Sequence, residues 1–412
     1  MSDVVLAEPL SDLEPIASLD HLPESFGKLL VAVRRHLHKH PEVGFEEFET
    51  SRFLRDVLTQ HGLDVQGPVA GTGLYVDIEG THEGPKVGYR ADIDALPIQE
   101  SNPVSYASQH PGVAHLCGHD AHTAVGVGVA LLLNTLKEQL HGTVRVFFQP
   151  NEEGTPSGAP LMIRDGVLDG LEAAYAIHVD PALAAGKYGL IRGAATASAD
   201  RFRVRVRAGS TGHSARPHET ADTIWIATQI ALALYPLAGR VTDARNSAVL
   251  TICRFHGGEA YNVIPEEVEL GGTLRCVVAE DQARLRGYIV QVAEQTAALY
   301  GASAQVDYDD GAPAVVNDPV LMRHLGETIQ ALYGRSAKYA VPRPSMGAED
   351  FAHYLKHIPG ALLRVGTSAS PQTSFPLHDA KFDLDEDILA PTARLMAAVL
   401  MRHTERCPLQ KG

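Results

Sequence analysis

The spacing of hydrophobic residues changes along the chain, and these changes predict its elements. Near the N-terminus, apolar residues recur at helical spacing over residues 26–40 and 46–61, and the proline and glycine of HPEVG separate the two helices. A third helical pattern, rich in small residues, covers residues 122–140. Short apolar runs predict buried strands at 86–89, 143–148, 173–177 and 361–365. Strands that alternate with helices are typical of a mainly parallel sheet with helices on both faces.

A different pattern begins near residue 199. In RFRVRVR, Phe202, Val204 and Val206 alternate with arginines, as in an antiparallel strand that has one face in water. The elements that follow are predicted at 222–238 (helix), 248–255 and 267–278 (strands) and 281–300 (helix). Their β-α-β-β-α order is that of a small α+β domain.

The length of the chain also favours two domains. At 412 residues it exceeds the usual size of one domain. We therefore predict an α/β domain of about residues 1–198 and 313–412, with an α+β domain of about residues 199–312 inserted into it.

Composition excludes several classes of protein. The net charge of −15 argues against a nucleic-acid-binding protein, because phosphates require a basic face. No apolar run approaches the roughly 18 residues that span a bilayer, and the N-terminus does not have the pattern of a secretory signal. Four cysteines in a chain of this size do not make a disulfide framework. We expect a cytoplasmic protein without nucleic-acid or membrane partners.

Three of the predicted strands end in residue types that bind metals. Asp92 and Asp94 follow the first strand, Glu152 and Glu153 follow the second, and His178 ends the third. In open α/β sheets, ligands bind outside the carboxyl ends of the strands, so these side chains are expected to converge.

The segment HLCGHDAH, residues 115–122, lies just before a predicted helix and could face the same edge. It has five potential ligands within eight residues, which chance composition rarely produces. A thiolate combined with imidazoles suits a transition metal better than magnesium or calcium. The adjacent Glu152–Glu153 pair adds a mechanism, because one carboxylate can bind metal while its neighbour acts as a general base toward water.

Nine stretches of the sequence resemble the M20 metallopeptidases. Within that family they are similar to the amidohydrolase branch, which includes hippurate hydrolases, auxin–amino-acid hydrolases and N-acetyl-diaminopimelate deacetylases. They run in order from about residue 34 to about residue 388. The stretches are RRHLHKHPEVGFEE, RADIDALPIQE, HLCGHDAH, FFQPNEEG, AIHVDP, GHSARPH, NVIPEEVELGGTLR, MGAEDFAHYL and PLHDAKFDLDEDIL.

The resemblance implies roles for individual residues of the larger domain. It makes Glu152 the general base, and it gives Asp94 the role of orienting the metal site, which Asp92 could share. The implied metal ligands are Cys117, His119, Glu153, His178 and His378. They would hold two divalent ions, for which the thiolate favours zinc, nickel or cobalt, while manganese is common among relatives.

In the inserted domain, the resemblance implies that Asn262 and Arg275 hold the carboxylate of the substrate. His213 matches a histidine that polarises the scissile carbonyl, often from the neighbouring subunit of a dimer. The implied fold is a two-metal, aminopeptidase-like catalytic domain with an inserted lid that also dimerises. The implied protein is therefore a homodimer or a dimer-based oligomer.

The implied activity is hydrolysis of the amide bond of an N-acyl amino acid or a similar small amide. Two alternatives stay open from the sequence. One is a dipeptidase or carboxypeptidase of the same family, which would differ in the acyl side of the pocket. The other is a metal-binding protein without catalysis, against which the intact set of ligands and base argues.

Overall fold

The computed structural model of the chain describes residues 18–405. The helices are α1 (Glu24–Lys39), α2 (Phe48–Gln60), α3 (His119–Thr135), α4 (Gly158–Arg164), α5 (Thr223–Leu234), α6 (Ala238–Val241), α7 (Ala279–Leu299), α8 (Pro319–Tyr333) and α9 (Leu389–Thr404). The strands are β1 (Val65–Val69), β2 (Gly73–Glu79), β3 (His82–Asp92), β4 (His141–Gln149), β5 (Leu171–Ala184), β6 (Tyr188–Leu190), β7 (Gly193–Ala194), β8 (Asp200–Arg207), β9 (Gly212–His213), β10 (Ala248–His256), β11 (Val263–Ile264), β12 (Glu267–Cys276), β13 (Ser303–Asp310), β14 (Val316–Asn317), β15 (Lys338–Ala340) and β16 (Gly360–Ser368).

The chain divides into two compact units. The second consists of Ala194–Val315 and Pro344–Ala352, and the first contains the rest of the described residues. The sequence pattern predicts residues 344–352 in the larger domain, whereas they belong to the second unit. The reason is long-range pairing, because Ser345 N donates to Ala195 O and Ala197 N donates to Ser345 O.

The first unit contains a sheet of eight strands in the order β1-β2-β4-β3-β5-β16-β6-β15. Its central strands β4, β3, β5 and β16 are mutually parallel, and the α/β class is confirmed. Asp92 pairs with Gln149, and Arg90 pairs with Ala176. The ends of β3 and β4 therefore lie at the same edge of the sheet as His178, as the strand-end argument predicts.

Helix α3 fixes the position of the HLCGHDAH segment. Every residue from His119 to Leu133 is buried, and the helix packs against α1, α9 and β3. A helix that is hydrophobic all round is typical of a core position. Within residues 18–405, no helix combines the length and the apolar character needed to cross a bilayer.

The second unit contains an antiparallel sheet in the order β10-β12-β8-β13. The apolar face of β8 is buried in a core that also includes residues of α5 and α7, as its alternation predicts. Strand β13 was not predicted. Its sequence, SAQVDYDD, alternates Ala304, Val306 and Tyr308 with polar residues, and one of these, Asp307, forms an ion pair with Arg205 of β8 at 2.5 Å. Pairing with an arginine-rich neighbour therefore favours a strand that hydrophobicity alone does not indicate.

A buried ionic cluster lies behind the start of α3. Arg34 is fully buried, and its guanidinium contacts Asp120 at 2.7 Å, Asp383 at 2.9 Å and Glu386 at 3.2 Å. Burial opposes the charge of Arg34, but the carboxylates outweigh burial and raise its pKa. The ring of His38 joins the cluster, with Nδ1 2.8 Å from Asp120 Oδ2. Since Asp120 follows His119 directly, the cluster fixes the backbone that carries the predicted metal ligands.

We predict that Arg34→Met lowers the free energy of unfolding by about 3–5 kcal/mol, because it leaves carboxylates buried without their partner. Arg35→Met is the matched control. The Arg35 side chain is 44% exposed, and Glu386 is its one ion-pair partner among residues 18–405, so its loss should cost about 0–1 kcal/mol. Urea unfolding followed by circular dichroism measures both values. Equal losses of unfolding free energy in the two variants would show that the buried cluster contributes no more to stability than a partly exposed ion pair.

Candidate active site

Gly118 allows Cys117 and His119 to meet β5. It has φ 81°, in the left-handed region, and α3 begins immediately after it at His119. A Cβ atom at Gly118 would lie 2.4 Å from Val179 Cγ2, so only glycine permits this approach. The hydrophobic pattern predicts that this helix begins at residue 122, so that nearly all of the HLCGHDAH segment precedes it. In the structure its second half forms the first turn of α3.

The five residues predicted as metal ligands lie together in the first unit. They form two triplets that share Cys117, and within each triplet the potential ligand atoms lie within 4.8 Å of one another. The triplets are Cys117, His119 and His178, and Cys117, Glu153 and His378. Cys117 Sγ lies 3.7 Å from His178 Nε2, and His378 Nε2 lies 3.1 Å from Glu153 Oε1. A further triplet joins Glu152 to His119 and Glu153.

Hydrogen bonds on the far side of two rings decide which nitrogen faces the cluster. His119 Nδ1 lies 2.9 Å from the carbonyl oxygen of Asp94, and His178 Nδ1 lies 2.8 Å from that of Val179. A carbonyl can only accept, so both Nδ1 atoms carry a proton. In the neutral rings, Nε2 then offers a lone pair toward Cys117, as in histidine ligands of metals.

Two aspartates at the end of β3 support these residues. Asp94 Oδ1 lies 3.1 Å from His119 Nδ1, and Oδ2 accepts the backbone N–H of Glu153 at 3.0 Å. Asp92 Oδ2 accepts from Arg90 at 2.7 Å, and its Oδ1 lies 2.7 Å from His122 Nδ1. Asp94 therefore contacts one predicted ligand and the backbone of another, and the orienting role that the resemblance implies for it stays a prediction.

Two buried atoms in the cluster favour an added cation. His119 Nε2 has no hydrogen-bond partner among residues 18–405. Glu153 Oε1 makes no hydrogen bond of good geometry in the described chain, although His378 Nε2 is 3.1 Å away. Buried polar atoms without partners are costly, and a cation would satisfy both. The thiol, imidazole and carboxylate donors therefore fit a divalent transition metal.

The electrostatics of the cluster also favour a cation. Burial raises the pKa of the Cys117 thiol, and the charge of Glu153 raises it further. Burial opposes the charge of His119, but Asp92 and Asp94 outweigh it and raise its pKa. The close contact with the Glu153 carboxylate raises the pKa of His378. The carboxylates that raise the pKa of the two histidines would also attract a metal ion, whose binding requires deprotonated ligands.

The predicted substrate-binding residues lie in the second unit. His213 of β9 pairs with Val263 of β11, and Ser214 N donates to Asn262 O at 3.1 Å, so His213 and Asn262 are neighbours. His213 Nδ1 accepts from Ala215 N at 3.0 Å. In the neutral ring the proton is therefore on Nε2, as a donor to a carbonyl oxygen requires.

Arg275, at the end of β12, is half-buried and donates from Nη1 to the carbonyl oxygen of Met346 at 3.2 Å. Its guanidinium thus has a partner within its own unit. A guanidinium presents five N–H groups, so this bond uses only part of its capacity to donate.

One residue of the site was missed by the sequence analysis. Glu47 is fully buried and accepts the backbone N–H of Asn151 at 2.9 Å, directly before Glu152. The available signal was its place as the last residue of RRHLHKHPEVGFEE. Glu47 also directly precedes α2, where the helix dipole is the ordinary explanation of an acidic residue, so its position does not indicate a role in the site.

A protein-family model described as Peptidase family M20/M25/M40 matches residues 88–402. The chain belongs to this family. The predicted membership is confirmed, and with it the prediction of a hydrolase that acts on C–N amide bonds.

Among relatives of this M20 chain, the N-acetyl-L-cysteine deacetylase of Bacillus subtilis is 39% identical over 359 residues, which cover 87% of the chain and 84% of the relative. An N-acetylcysteine deacetylase of the same organism is 37% identical and covers 92% of the chain and 99% of the relative. The crystal structure of the B. subtilis YxeP protein, described as a dinuclear metal-binding peptidase from the M20 family, matches with a TM-score of 0.83 at 34% identity, covering 93% and 100% of the two chains.

We predict that Cys117→Ser weakens metal binding by at least about 10-fold, because a hydroxyl is a poor substitute for thiolate. Substitution of residues that only hydrogen-bond to the ligands already lowers metal affinity by about that factor. Cys276→Ser is the matched control, since Cys276 is also a buried thiol but lies in the second unit. Titration of the chelator-treated protein with Zn²⁺ measures both affinities. Unchanged affinity and stoichiometry in Cys117→Ser would exclude Cys117 as a ligand.

Proposed function

We propose that the chain is a metal-dependent amidohydrolase that cleaves the amide bond of N-acyl amino acids. The observation that carries this proposal is the position of Glu152 and Glu153 in one cluster with a thiol and imidazoles. Two relatives whose names state deacetylation of N-acetylcysteine support an N-acyl amino acid as substrate.

We propose that the two triplets sharing Cys117 hold two divalent ions, for which the description of YxeP as dinuclear gives support. Zinc, nickel, cobalt and manganese are the candidates, and the thiolate favours the first three. When bound, such ions polarise the carbonyl of the amide and lower the pKa of water from 15.7 toward about 7.

The chain's own residues would supply proton transfer and recognition. Glu152 would take a proton from the attacking water and deliver it to the leaving amine as the C–N bond breaks. His213 would donate from Nε2 to the carbonyl oxygen as negative charge develops there. Arg275 and Asn262 would hold the α-carboxylate of the substrate, for which the planar guanidinium is suited.

A homodimer, or an oligomer built from dimers, is the assembly that we propose. Strand β10 forms one edge of the sheet in the second unit, and Val249 and Phe255 on it are exposed. An exposed apolar edge strand offers backbone donors and acceptors to another chain. We also propose a cytoplasmic location, which the described cysteines support because Cys117, Cys253 and Cys276 are all free thiols.

A substrate panel tests the function. The protein loaded with Zn²⁺ or Mn²⁺ is assayed with acetyl-, benzoyl- and indoleacetyl-amino acids, with dipeptides and with N-blocked peptides. Turnover of the N-acyl amino acids above all others is the expected result. Preference for dipeptides or for the C-terminal bond of peptides would instead establish a dipeptidase or carboxypeptidase, and no turnover with full metal content would establish a binding protein.

We predict that Glu152→Gln lowers kcat by about 10²–10⁴-fold, because the amide cannot accept the proton of water. Metal content and the melting temperature should remain those of the wild type, since the substitution preserves shape. Measuring metal by emission spectrometry alongside kcat separates loss of the base from loss of the ions. A variant within a few-fold of the wild-type rate would refute the assignment of the base.

We predict that Arg275 reads the free α-carboxylate of the substrate. Wild-type protein should prefer an N-acyl amino acid strongly over its α-amide, and Arg275→Ala should lose about 2–5 kcal/mol of that preference in kcat/KM. Arg203→Ala is the control, because Arg203 lies in the same sheet and pairs with Glu269. If Arg275→Ala distinguishes acid from amide as the wild type does, the carboxylate is bound elsewhere.

A further inference from the structure

The loop that carries Glu152 and Glu153 is set by the backbone of Asn151. Asn151 has φ 49°, a left-handed conformation that few residues other than glycine adopt and that asparagine tolerates. Its side-chain Nδ2 donates to Pro156 O at 2.7 Å, and its carbonyl accepts from Gly158 N at 2.8 Å. These two hydrogen bonds of Asn151 therefore close the loop of residues 151–158.

The remaining backbone group of Asn151 is held from outside the loop. Its N–H is donated to Glu47 Oε1 at 2.9 Å, and the other oxygen of Glu47 accepts the hydroxyl of Thr72 at 2.6 Å. The Glu47 side chain is fully buried. Without this acceptor, a buried N–H would lose its partner, which costs more than a typical hydrogen bond contributes.

The segment that contains Glu47 also contacts the loop after β3. Glu42 O accepts the backbone N–H of Ala95 at 2.8 Å, next to Asp94. Gly44 lies against the Asn151 side chain so closely that a Cβ atom there would be 1.8 Å from Asn151 Oδ1. The segment of residues 42–47 therefore contacts both the loop that carries Asp94 and the loop that carries Glu153. These two loops are also joined directly, because Glu153 N donates to the Asp94 carboxylate.

We infer that Glu47 is a positioning residue: its carboxylate, through the backbone of Asn151, sets the direction in which Glu152 and Glu153 project into the metal cluster. The inference rests on the proposed function, because it takes Glu152 as the base and Glu153 as a ligand. Glu47 belongs to none of the potential metal-ligand groups found among residues 18–405.

The chemistry of Glu47 indicates which variants separate positioning from charge. Burial raises the pKa of Glu47 to about 7, although the bond from Thr72 opposes the rise. A glutamine can make both hydrogen bonds without charge, since its oxygen accepts from Asn151 N and its amide donates to Thr72 Oγ1. A methionine has a similar length but cannot replace either bond.

The experiment compares Glu47→Met and Glu47→Gln with the wild type. We expect Glu47→Met to lower kcat for an N-acyl amino acid by about 10–100-fold, and to weaken Zn²⁺ binding to the chelator-treated protein by a similar factor. KM should stay within about threefold, because the substrate contacts lie elsewhere, and Glu47→Gln should restore both kcat and Zn²⁺ affinity to within about threefold.

Asp318→Ala is the matched control. Asp318 also accepts backbone N–H groups, from Val320 and Leu321, but its own N–H is bonded to Gly360 at the start of β16, the opposite edge of the sheet from His178. It should lower the melting temperature while leaving kcat and Zn²⁺ affinity unchanged. If Asp318→Ala lowers them as Glu47→Met does, general stability is the cause and the inference is overturned.

Two other results would also overturn it: wild-type Zn²⁺ affinity and kcat in Glu47→Met, or equal impairment in Glu47→Gln. If Glu47→Met does not fold, Glu47→Asp is measured in its place, because aspartate keeps the carboxylate but is one methylene too short to accept from Asn151 N in the same position. It must reproduce the loss, and normal behaviour overturns the inference. If the wild type cleaves no N-acyl amino acid, the proposed function fails, and the Zn²⁺ affinities alone decide the role of Glu47.

Discussion

The two hydrogen bonds of the Asp94 carboxylate decide the geometry of the site. One oxygen lies 3.1 Å from His119 Nδ1, and the other accepts the backbone N–H of Glu153 at 3.0 Å. The first contact fixes which nitrogen of His119 faces Cys117, and the second fixes the loop of the adjacent glutamates. Asp94 follows β3, one of the central parallel strands. Its buried carboxylate contacts both His119 and the backbone of Glu153, and it thereby brings the side chains at this sheet edge together into one cluster.

Burying so many ionisable groups requires a second layer of partners. Arg34 and His38 hold the carboxylate of Asp120 beside His119, and Glu47 holds the N–H before Glu152. Such buried pairs contribute little net stability, but the loss of one partner is expensive, so they make a single arrangement far more favourable than its alternatives.

Two of the four described residues other than glycine that have positive φ lie at the same place. These are Asn151, which directly precedes Glu152, and His378, which belongs to the cluster. His378 is held there by the bond from its N–H to Leu116 O at 2.8 Å, next to Cys117. Unfavourable backbone angles persist only where surrounding contacts determine them, and they are common at functional sites.

Most of the fold and the inner part of the site could be predicted from the sequence. The same physical reasons explain what could not be predicted. Strand periodicity and the edge rule suffice to bring Asp92, Glu153 and His178 together, because parallel strands share an end. The strand β13 and the transfer of residues 344–352 to the second unit depend on partners distant in sequence, which local hydrophobicity does not encode. Glu47 was missed for the same reason: its importance lies in an N–H about one hundred residues away.

The central claim is that the cluster around Cys117 is a metal centre that performs amide hydrolysis. The most direct measurement is a titration of the chelator-treated protein with Zn²⁺ or Mn²⁺ in which bound metal and hydrolysis of an N-acyl amino acid are followed together. The account predicts no hydrolysis without metal, and a rate that rises with bound metal and becomes constant when the cluster is filled. Full hydrolysis by protein that contains no metal would contradict it.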